Sequence, residues 1–539
     1  MTTGEGTEEK ATTAAGRTGS GDGGARGELR VAARRGSAFT LGGFFNGFLQ
    51  FAFLALITHT IAQRDVGALL EAIAIFTIGS NVAELGADSG LLRMMPIFHR
   101  RRPQDLRRLA NVSVGPALVA SCIVAVLVYI FAPQLSDVFV HHASKPETSD
   151  DLRIIALFLP ISTVATVISA GLRTWSARIP VVLNNFLVPF ARPVLFTMFL
   201  IVGVNAKLAL IAWGVPTIAV LVLAALALDR HIRETLVDTA VAGVEPAPYG
   251  AVALEFWRFS LPRTFGAMFQ VFITYIDILL VGAYRTAGSA ASYSVASRYV
   301  TFSTFALGAV VSAVATQLSR LMDGRDYDKV NAVYKSATWW TAAASWPPLL
   351  VLAVFSPLFM TIFGHGYRSG AGALTILSLA MLVTIGTGPN GLLLLMSGRS
   401  GLNLAIQGLG LAVNVGLNVW LIPILGLPGA AIAWAATILV TCFCASFILW
   451  KSFRIQPFGR GYLAVVLAAG GCFGALGLIA RAAFGTGVVT FVVFAIVSCS
   501  LYAGALFKAR RVLNLDAFGA AFSRKGFIGS LAARSSARS

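Results

Sequence analysis

Six charged side chains stand inside stretches of sequence that are otherwise apolar: Glu71, Glu84, Asp88, Arg192, Asp277 and Arg298. A charge held within lipid is costly and is usually there for function. Asn81, Glu84 and Asp88 are spaced i, i+3, i+7, which puts them on one face of a helix, and that face must look at protein or water. Carboxylates in such places (Glu71, Glu84, Asp88, Asp277) can carry a coupling proton or sodium ion. Arginines (Arg192, Arg298) can bind phosphate groups. Arg192 lies in Pro189-Phe190-Ala191-Arg192-Pro193, where two prolines remove backbone donors and bend the helix. Two readings follow. In one, Arg298, Asp277, Glu84 and Asp88 line a water-filled cavity, with Arg192 and Asn81 as further candidates for substrate contact. In the other, Asp277–Arg298 and Glu84–Arg93 are ion pairs that hold helices together. For Asp88 and Arg93, which lie close to a membrane surface, the second reading is favoured, because a long or terminal charged group there reaches water. Asn414 and Asn418, spaced i, i+4, are expected to bond between helices.

The elements that must position these groups are membrane-spanning helices. Of the 539 residues, 56% are hydrophobic and 12% charged, against about 25% charged in soluble domains, and the mean hydropathy is +0.76. Apolar blocks of spanning length, about 20 residues, follow one another at 38–62, 66–92, 109–132, 152–175, 181–203, 207–228, 257–284, 290–318, 337–363, 371–396, 402–424, 428–450, 462–482 and 487–507. The fold class expected is an all-α polytopic membrane protein of about 14 transmembrane helices. The alternating segments of a membrane β-barrel are absent. Lys and Arg test the orientation. One side carries Arg64, Lys145, Arg153, Lys207, Arg285, Arg368 and Arg481, and nearly all the remaining basic residues fall in the other loops and the two tails. By the positive-inside rule both termini are cytoplasmic. The net charge of +18 therefore reflects topology, and nucleic acid is not an expected partner.

The chain also repeats itself. Arg64-Asp65-Val66-Gly67 and Arg285-Thr286-Ala287-Gly288 share Arg-x-x-Gly at equivalent hairpins, and the same offset aligns Phe44 with Phe265 and Phe48 with Phe269. One repeat per six spans implies a parallel pseudo-repeat of two six-helix bundles. The expected organisation is a disordered cytoplasmic tail (1–37), an N-terminal bundle (38–228), a cytoplasmic linker (229–256), a C-terminal bundle (257–450), two additional helices (451–507) and a basic tail (508–539). In that last tail Leu515, Phe518 and Phe522 suit either an amphipathic surface helix or a disordered segment. No phosphate-loop, nucleophile-elbow or metalloprotease motif occurs, so an enzyme is not expected. Neither is a cofactor or a metal. Cys442 and Cys444 read as small apolar residues, and His141 and His142 as part of a solvated outer loop over Pro133–Asp151.

Three stretches carry a resemblance to a known family. They are Glu84-Leu-Gly-Ala-Asp88-Ser-Gly-Leu-Leu-Arg93-Met-Met-Pro96; Gln317-Leu-Ser-Arg320 with Phe363-Gly-His-Gly-Tyr367; and Gly388-Pro-Asn-Gly-Leu392 through Asn414-Val-Gly-Leu-Asn418 to Gly426-Leu-Pro-Gly429. Over residues 38–507 the chain resembles the polysaccharide-biosynthesis flippases of the multidrug/oligosaccharidyl-lipid/polysaccharide exporter superfamily. Arg192-Pro193 resembles that family's Arg-Pro in span five. The resemblance implies two bundles around a central cavity and alternating access. It also implies a polyprenyl-linked oligosaccharide as substrate, with membrane lipids, a polysaccharide polymerase and glycosyltransferases as further partners, at the plasma membrane. A cation-coupled multidrug or metabolite antiporter of the same fold is the alternative; two helices beyond twelve favour the lipid-linked substrate. The absence of arginine between Phe39 and Gln63 counts against a lipid II flippase.

Overall fold

A computed structural model describes residues 43–509 except 44, 140–144, 202, 204 and 240–244. The tail 1–37, most of the tail 508–539, and His141 and His142 lie outside the described residues. Twenty helices follow in order: α1 (45–60), α2 (Gln63–Ala83), α3 (Ala87–Arg101), α4 (Leu106–Ile130), α5 (Ala132–Phe139), α6 (Lys145–Leu172), α7 (Arg178–Val182), α8 (Val188–Phe199), α9 (Ala206–Thr239), α10 (Tyr249–Tyr284), α11 (Ala287–Asp323), α12 (Tyr327–Val354), α13 (Ser356–Thr361), α14 (Ala371–Gly386), α15 (Asn390–Met396), α16 (Ser400–Leu425), α17 (Leu427–Phe453), α18 (Arg460–Ala469), α19 (Leu476–Phe484) and α20 (Val488–Ala509). No strand occurs among the described residues. Helices overlap every expected span, and among the described residues 11 helical stretches are long and apolar enough to cross a membrane by themselves.

The outer surface confirms what solvates these helices. On α4, Val119, Ile123, Val126 and Ile130 are exposed, while Ala117, Ser121 and Val128 are buried. The exposed stripe is the more apolar one. On α20, Val489, Val493 and Ile496 are exposed while Phe494, Ser498 and Tyr502 face inward at i, i+4, i+8. Apolar surface of this extent is stable against lipid and not against water. In the N-terminal half α2, α4, α6 and α9 pack together, and in the C-terminal half α11, α12, α14, α16 and α17 do. The additional helices dock on α12: Tyr502 Oη donates to the Ala343 carbonyl at 2.8 Å and Arg481 Nη1 to the Val354 carbonyl at 2.7 Å.

Three elements differ from expectation. The second span is not one helix. Leu85 and Gly86 adopt φ of 49° and 69°, which ends α2 and starts α3, so Asp88 does not share a continuous helix face with Asn81 and Glu84. The cause is the close approach of α10: a Cβ at Gly86 would lie 2.7 Å from the Ser260 carbonyl oxygen and 2.9 Å from Thr264 Oγ1. The second difference is the outer loop, which is largely helical, as α5 and the first turn of α6, with Lys207 Nζ 2.8 Å from Asp150 Oδ2. The third is the linker, which is mostly an extension of α9 and α10. It is tied back by Asp105, whose Oδ1 accepts from Ala247 N at 2.7 Å, and by an Arg102–Glu255 pair at 2.8 Å.

Gly86→Ala is expected to lower the melting temperature in detergent. A side chain in the left-handed region costs about 1–2 kcal/mol and overpacking about 1–3 kcal/mol more. Gly115→Ala, on α4 with nothing within 4 Å of its added methyl, is the control and should melt as wild type. Equal melting of the two variants would remove the close approach as the reason for the break.

The two halves meet along a seam at the end of the bundle that carries the repeated hairpins. At Gly67 an added Cβ would overlap the backbone carbonyl of Ala287. Gln63 Nε2 reaches across to the Gly288 carbonyl (3.0 Å), Ser292 Oγ (2.8 Å) and the Gly366 carbonyl (3.2 Å). Further in, Phe51 packs edge-on against Tyr299 and Phe363, at 5.0 and 4.9 Å between ring centroids. This end of the protein is closed.

Candidate functional site

Arg192 is built into the N-terminal half by irregular backbone. Between α7 and α8 the chain makes a π-turn over Leu183–Leu187, just ahead of Pro189. Such turns are rare and concentrate at functional sites, and irregular backbone at membrane depth persists where it lines a cavity or is buried in protein. Arg192 Nε donates to the Trp213 carbonyl at 3.1 Å, and its guanidinium lies 4.2 Å from the Trp213 ring centroid. Trp213, on α9, is braced in turn by Phe76 of α2 at 5.0 Å. The charge is thus held in one place. It borders a cavity of about 170 Å³ whose other walls include Asn46, Gln50, Thr166, Asn184 and Thr217.

Arg298, on α11, is half-buried. Among the described residues it makes no ion pair or hydrogen bond. It lies close enough to Arg192 for the two like charges to repel, and Tyr275 of α10 also faces Arg192. The two arginines therefore come from opposite halves and lie within electrostatic reach of one another.

Asp277 does not pair with Arg298, which corrects the ion-pair reading. Its carboxylate is buried and held on both oxygens: Tyr293 Oη donates to Oδ2 at 2.8 Å and Asn418 Nδ2 to Oδ1 at 2.7 Å. Asn418 also donates to the Asn414 carbonyl at 2.9 Å. The asparagine pair thus joins α16 to α10, as interhelical hydrogen bonding requires. Tertiary proximity won over sequence proximity: Tyr293, more than a turn before Arg298 on α11, is the residue that meets Asp277.

The α2–α3 break carries the other acids. Glu84 is buried at the end of α2, where it feels the like charge of Asp88; Asp88 accepts from Ser89 Oγ at 3.2 Å. Asn81 is half-buried beside them. No ion pair joins Glu84 to Arg93, whose guanidinium instead lies 4.5 Å from the Phe259 ring centroid. A cation over an aromatic face needs no carboxylate partner. Glu71 is fully buried in the seam, against Gly282 of α10 and the Phe139 carbonyl, and neither carboxylate oxygen has a hydrogen-bond partner among the described residues. The structure therefore places Arg192 and Arg298 within electrostatic reach of one another and leaves Asp277, Glu84 and Glu71 in three separate surroundings.

The charge-based search passed over the neutral groups around Arg192. Asn46 and Gln50 (i, i+4 in the first span) and the pair Asn184-Asn185 in the fifth are polar residues in apolar stretches, and the criterion used for charges would have found them. Trp213 and Tyr293 carried no such signal.

The sequence profile of the family described as Polysaccharide biosynthesis protein matches residues 65–369. An uncharacterised membrane protein of Methanocaldococcus jannaschii is 21% identical over 434 residues, covering 76% of this chain and 82% of that one. Among solved structures, the lipid II flippase MurJ in an inward closed conformation superposes with a TM-score of 0.68 at 14% identity, covering 88% of this chain and 99% of that one. An inward-facing multidrug resistance MATE family transporter of the MOP superfamily superposes with a TM-score of 0.57 at 15% identity, covering 79% and 94%. Both likenesses are of fold.

Proposed function

We propose that this chain, which belongs to the family described as Polysaccharide biosynthesis protein, is a flippase of the multidrug/oligosaccharidyl-lipid/polysaccharide exporter superfamily that moves a polyprenyl-linked oligosaccharide from the cytoplasmic to the outer leaflet by alternating access. It is a multi-pass membrane transporter with a flippase-like fold. The observation that supports the specific cargo is the pair Arg192 and Arg298. Two guanidiniums from opposite halves lie within electrostatic reach of one another, their charges repel, and Arg298 has no partner among the described residues. A phosphate or diphosphate entering between them would remove the repulsion and satisfy both groups, which offsets the cost of carrying an anion through hydrocarbon. Such an arrangement would repel an organic cation, the cargo of the alternative antiporter.

In this reading the closed seam is the outer gate, and the cytoplasmic side is where the cargo loads. Both termini lie in the cytoplasm of a plasma-membrane protein. Glycosyltransferases supply the cargo and a polymerase consumes it. The protein does no covalent chemistry. The buried carboxyls of Glu71, Glu84 and Asp277 are the candidates for carrying a coupling proton or sodium ion, with Asp88 at the margin.

The test uses the full-length protein in proteoliposomes loaded with a fluorescent polyprenyl diphosphate-linked oligosaccharide. Cargo should become accessible to an external glycan-modifying enzyme at a rate above that of empty liposomes, and an imposed proton or sodium gradient should change that rate. Efflux of ethidium-like cations with no movement of glycan lipid would overturn the proposal in favour of the antiporter.

A further inference from the structure

Arg93 and Arg263 share one aromatic ring. The Arg93 guanidinium carbon lies 4.5 Å from the Phe259 ring centroid and that of Arg263 lies 4.0 Å from it, so the two cations are no farther apart than those distances together. Arg93 comes from α3 and Arg263 from α10, and both side chains are exposed. A ring takes the flat face of a guanidinium and leaves the N–H groups at its edge free. Neither arginine has a hydrogen bond or ion pair among the described residues. Others at this end of the molecule are paired: Arg102 with Glu255 at 2.8 Å, Arg107 with Asp229 at 3.1 Å, and Arg108 with the Pro246 carbonyl at 2.8 Å. Two cations held together with no acid between them form a fork for an anion, and phosphate accepts from two guanidiniums at once. The neighbours of the pair are apolar. Leu92, beside Arg93, and Leu261 and Phe265, on either side of Arg263, are exposed. The site therefore suits a phosphate that carries a hydrocarbon tail.

Arg263 also heads a stripe on α10. Arg263, Ala267, Gln270 and Thr274 fall at i, i+4, i+7 and i+11, and all are exposed. Each is polar or small, unlike the exposed apolar stripes of α4 and α20, so this face looks onto water and not lipid. Gln407 of α16 widens it, donating to Gln270 Oε1 at 3.1 Å. The stripe runs about 16 Å along the helix, from the end away from the closed seam toward the depth of Asp277.

We propose that Arg93 and Arg263, held on Phe259, form a docking site for the diphosphate of a polyprenyl lipid, which captures cargo from the leaflet before it moves inward along the polar face of α10. Docking sets how much cargo is needed, and Arg298 sets how fast captured cargo crosses. A bilayer phospholipid offers the same phosphate chemistry, but as a diester with a single negative charge it fills the fork less well. Loading of cargo in this sense rests on the flippase reading; the lipid-phosphate site does not.

The experiment has a binding arm and a transport arm, both on the full chain. Binding uses radiolabelled polyprenyl diphosphate and phosphatidylcholine nanodiscs, in an Arg298→Ala background that removes the inner contact. Adding Arg93→Gln and Arg263→Gln together should weaken binding about 10-fold or more, since a charge-assisted hydrogen bond to phosphate contributes roughly a tenfold factor. Lysine at both positions should recover part of it. Both side chains are exposed, so the variants should melt as their parent. Transport is measured in proteoliposomes over a range of cargo mole fractions. Arg93→Gln with Arg263→Gln should reach the wild-type saturated rate, but only at about 10-fold more cargo, whereas Arg298→Ala lowers the saturated rate itself. Equal binding by parent and variant, or a lower saturated rate together with a lower melting temperature, overturns the docking site. So does phosphatidylglycerol, if adding it to the bilayer erases the difference between wild type and variant, because the pair then serves bulk lipid. If the pair binds the probe and no cargo moves, the lipid-phosphate site is supported and the flippase reading fails.

Discussion

Arg298→Ala stops glycan-lipid transport while the protein still inserts, purifies and melts like wild type. The size of the loss comes from the contact that the substitution removes. Truncating one partner of a buried, charge-assisted pair costs about 2–5 kcal/mol, and each 1.36 kcal/mol is tenfold in rate, so transport falls about 30-fold or more. Stability is spared because Arg298 makes no hydrogen bond or ion pair among the described residues and sits near a second positive charge, that of Arg192. Removing it relieves repulsion. Arg298→Lys should recover part of the rate, because a point charge still attracts phosphate but loses the bidentate fork. Adding Asp277→Ala should rescue nothing, because Asp277 is satisfied by Tyr293 and Asn418 and gains no unpaired charge when Arg298 is lost. A purely structural arginine gives the opposite pattern: a lower melting temperature for Arg298→Ala and recovery in the double variant. That pattern, or wild-type transport by Arg298→Ala, would end the proposal.

Gly67→Ala opens the seam and blocks the transport cycle. The added methyl has no soft neighbour to displace, because what it meets is the backbone carbonyl of Ala287. Overpacking a well-packed contact costs about 1–3 kcal/mol, which moves the closed-to-open ratio by about 10–100-fold. The readout is thiol labelling at Ser292→Cys in a background without the native cysteines. Ser292 is buried under Gln63 in the closed seam, so an impermeant reagent applied from outside should label it slowly in the parent and at least about 10-fold faster with Gly67→Ala. Gly288→Ala is the control. It is the repeat-equivalent glycine, yet its added methyl would find only the side chains of Gln63 and Thr286, the nearest atom at 3.8 Å, and transport should persist. Equal labelling of the Gly67→Ala and parent proteins would show that the seam is not the gate.

The repeated Arg-x-x-Gly hairpins also mark where reading the chain alone stops. Composition, block length and the placement of Lys and Arg determined by themselves that this is a bundle of membrane helices with an internal repeat, because those properties answer to the solvent, and lipid makes the same demand of every span. They determined as well which polar groups stand where lipid would not tolerate them: Arg192, Asp277, Arg298 and Glu71. They could not determine what those groups face. The two hairpin glycines are equivalent in the repeat but not in the fold, since only Gly67 has a backbone pressed against it. Asp277 meets Tyr293 and Asn418 because α11 and α16 both lie beside α10. The helix break at Leu85–Gly86 depends on Ser260 and Thr264, more than 170 residues away. Arg192 feels the charge of Arg298 because the halves close upon one another. Each of these is a contact between helices distant in sequence, set by how small residues let backbones approach, and nothing in the local pattern of either partner encodes it.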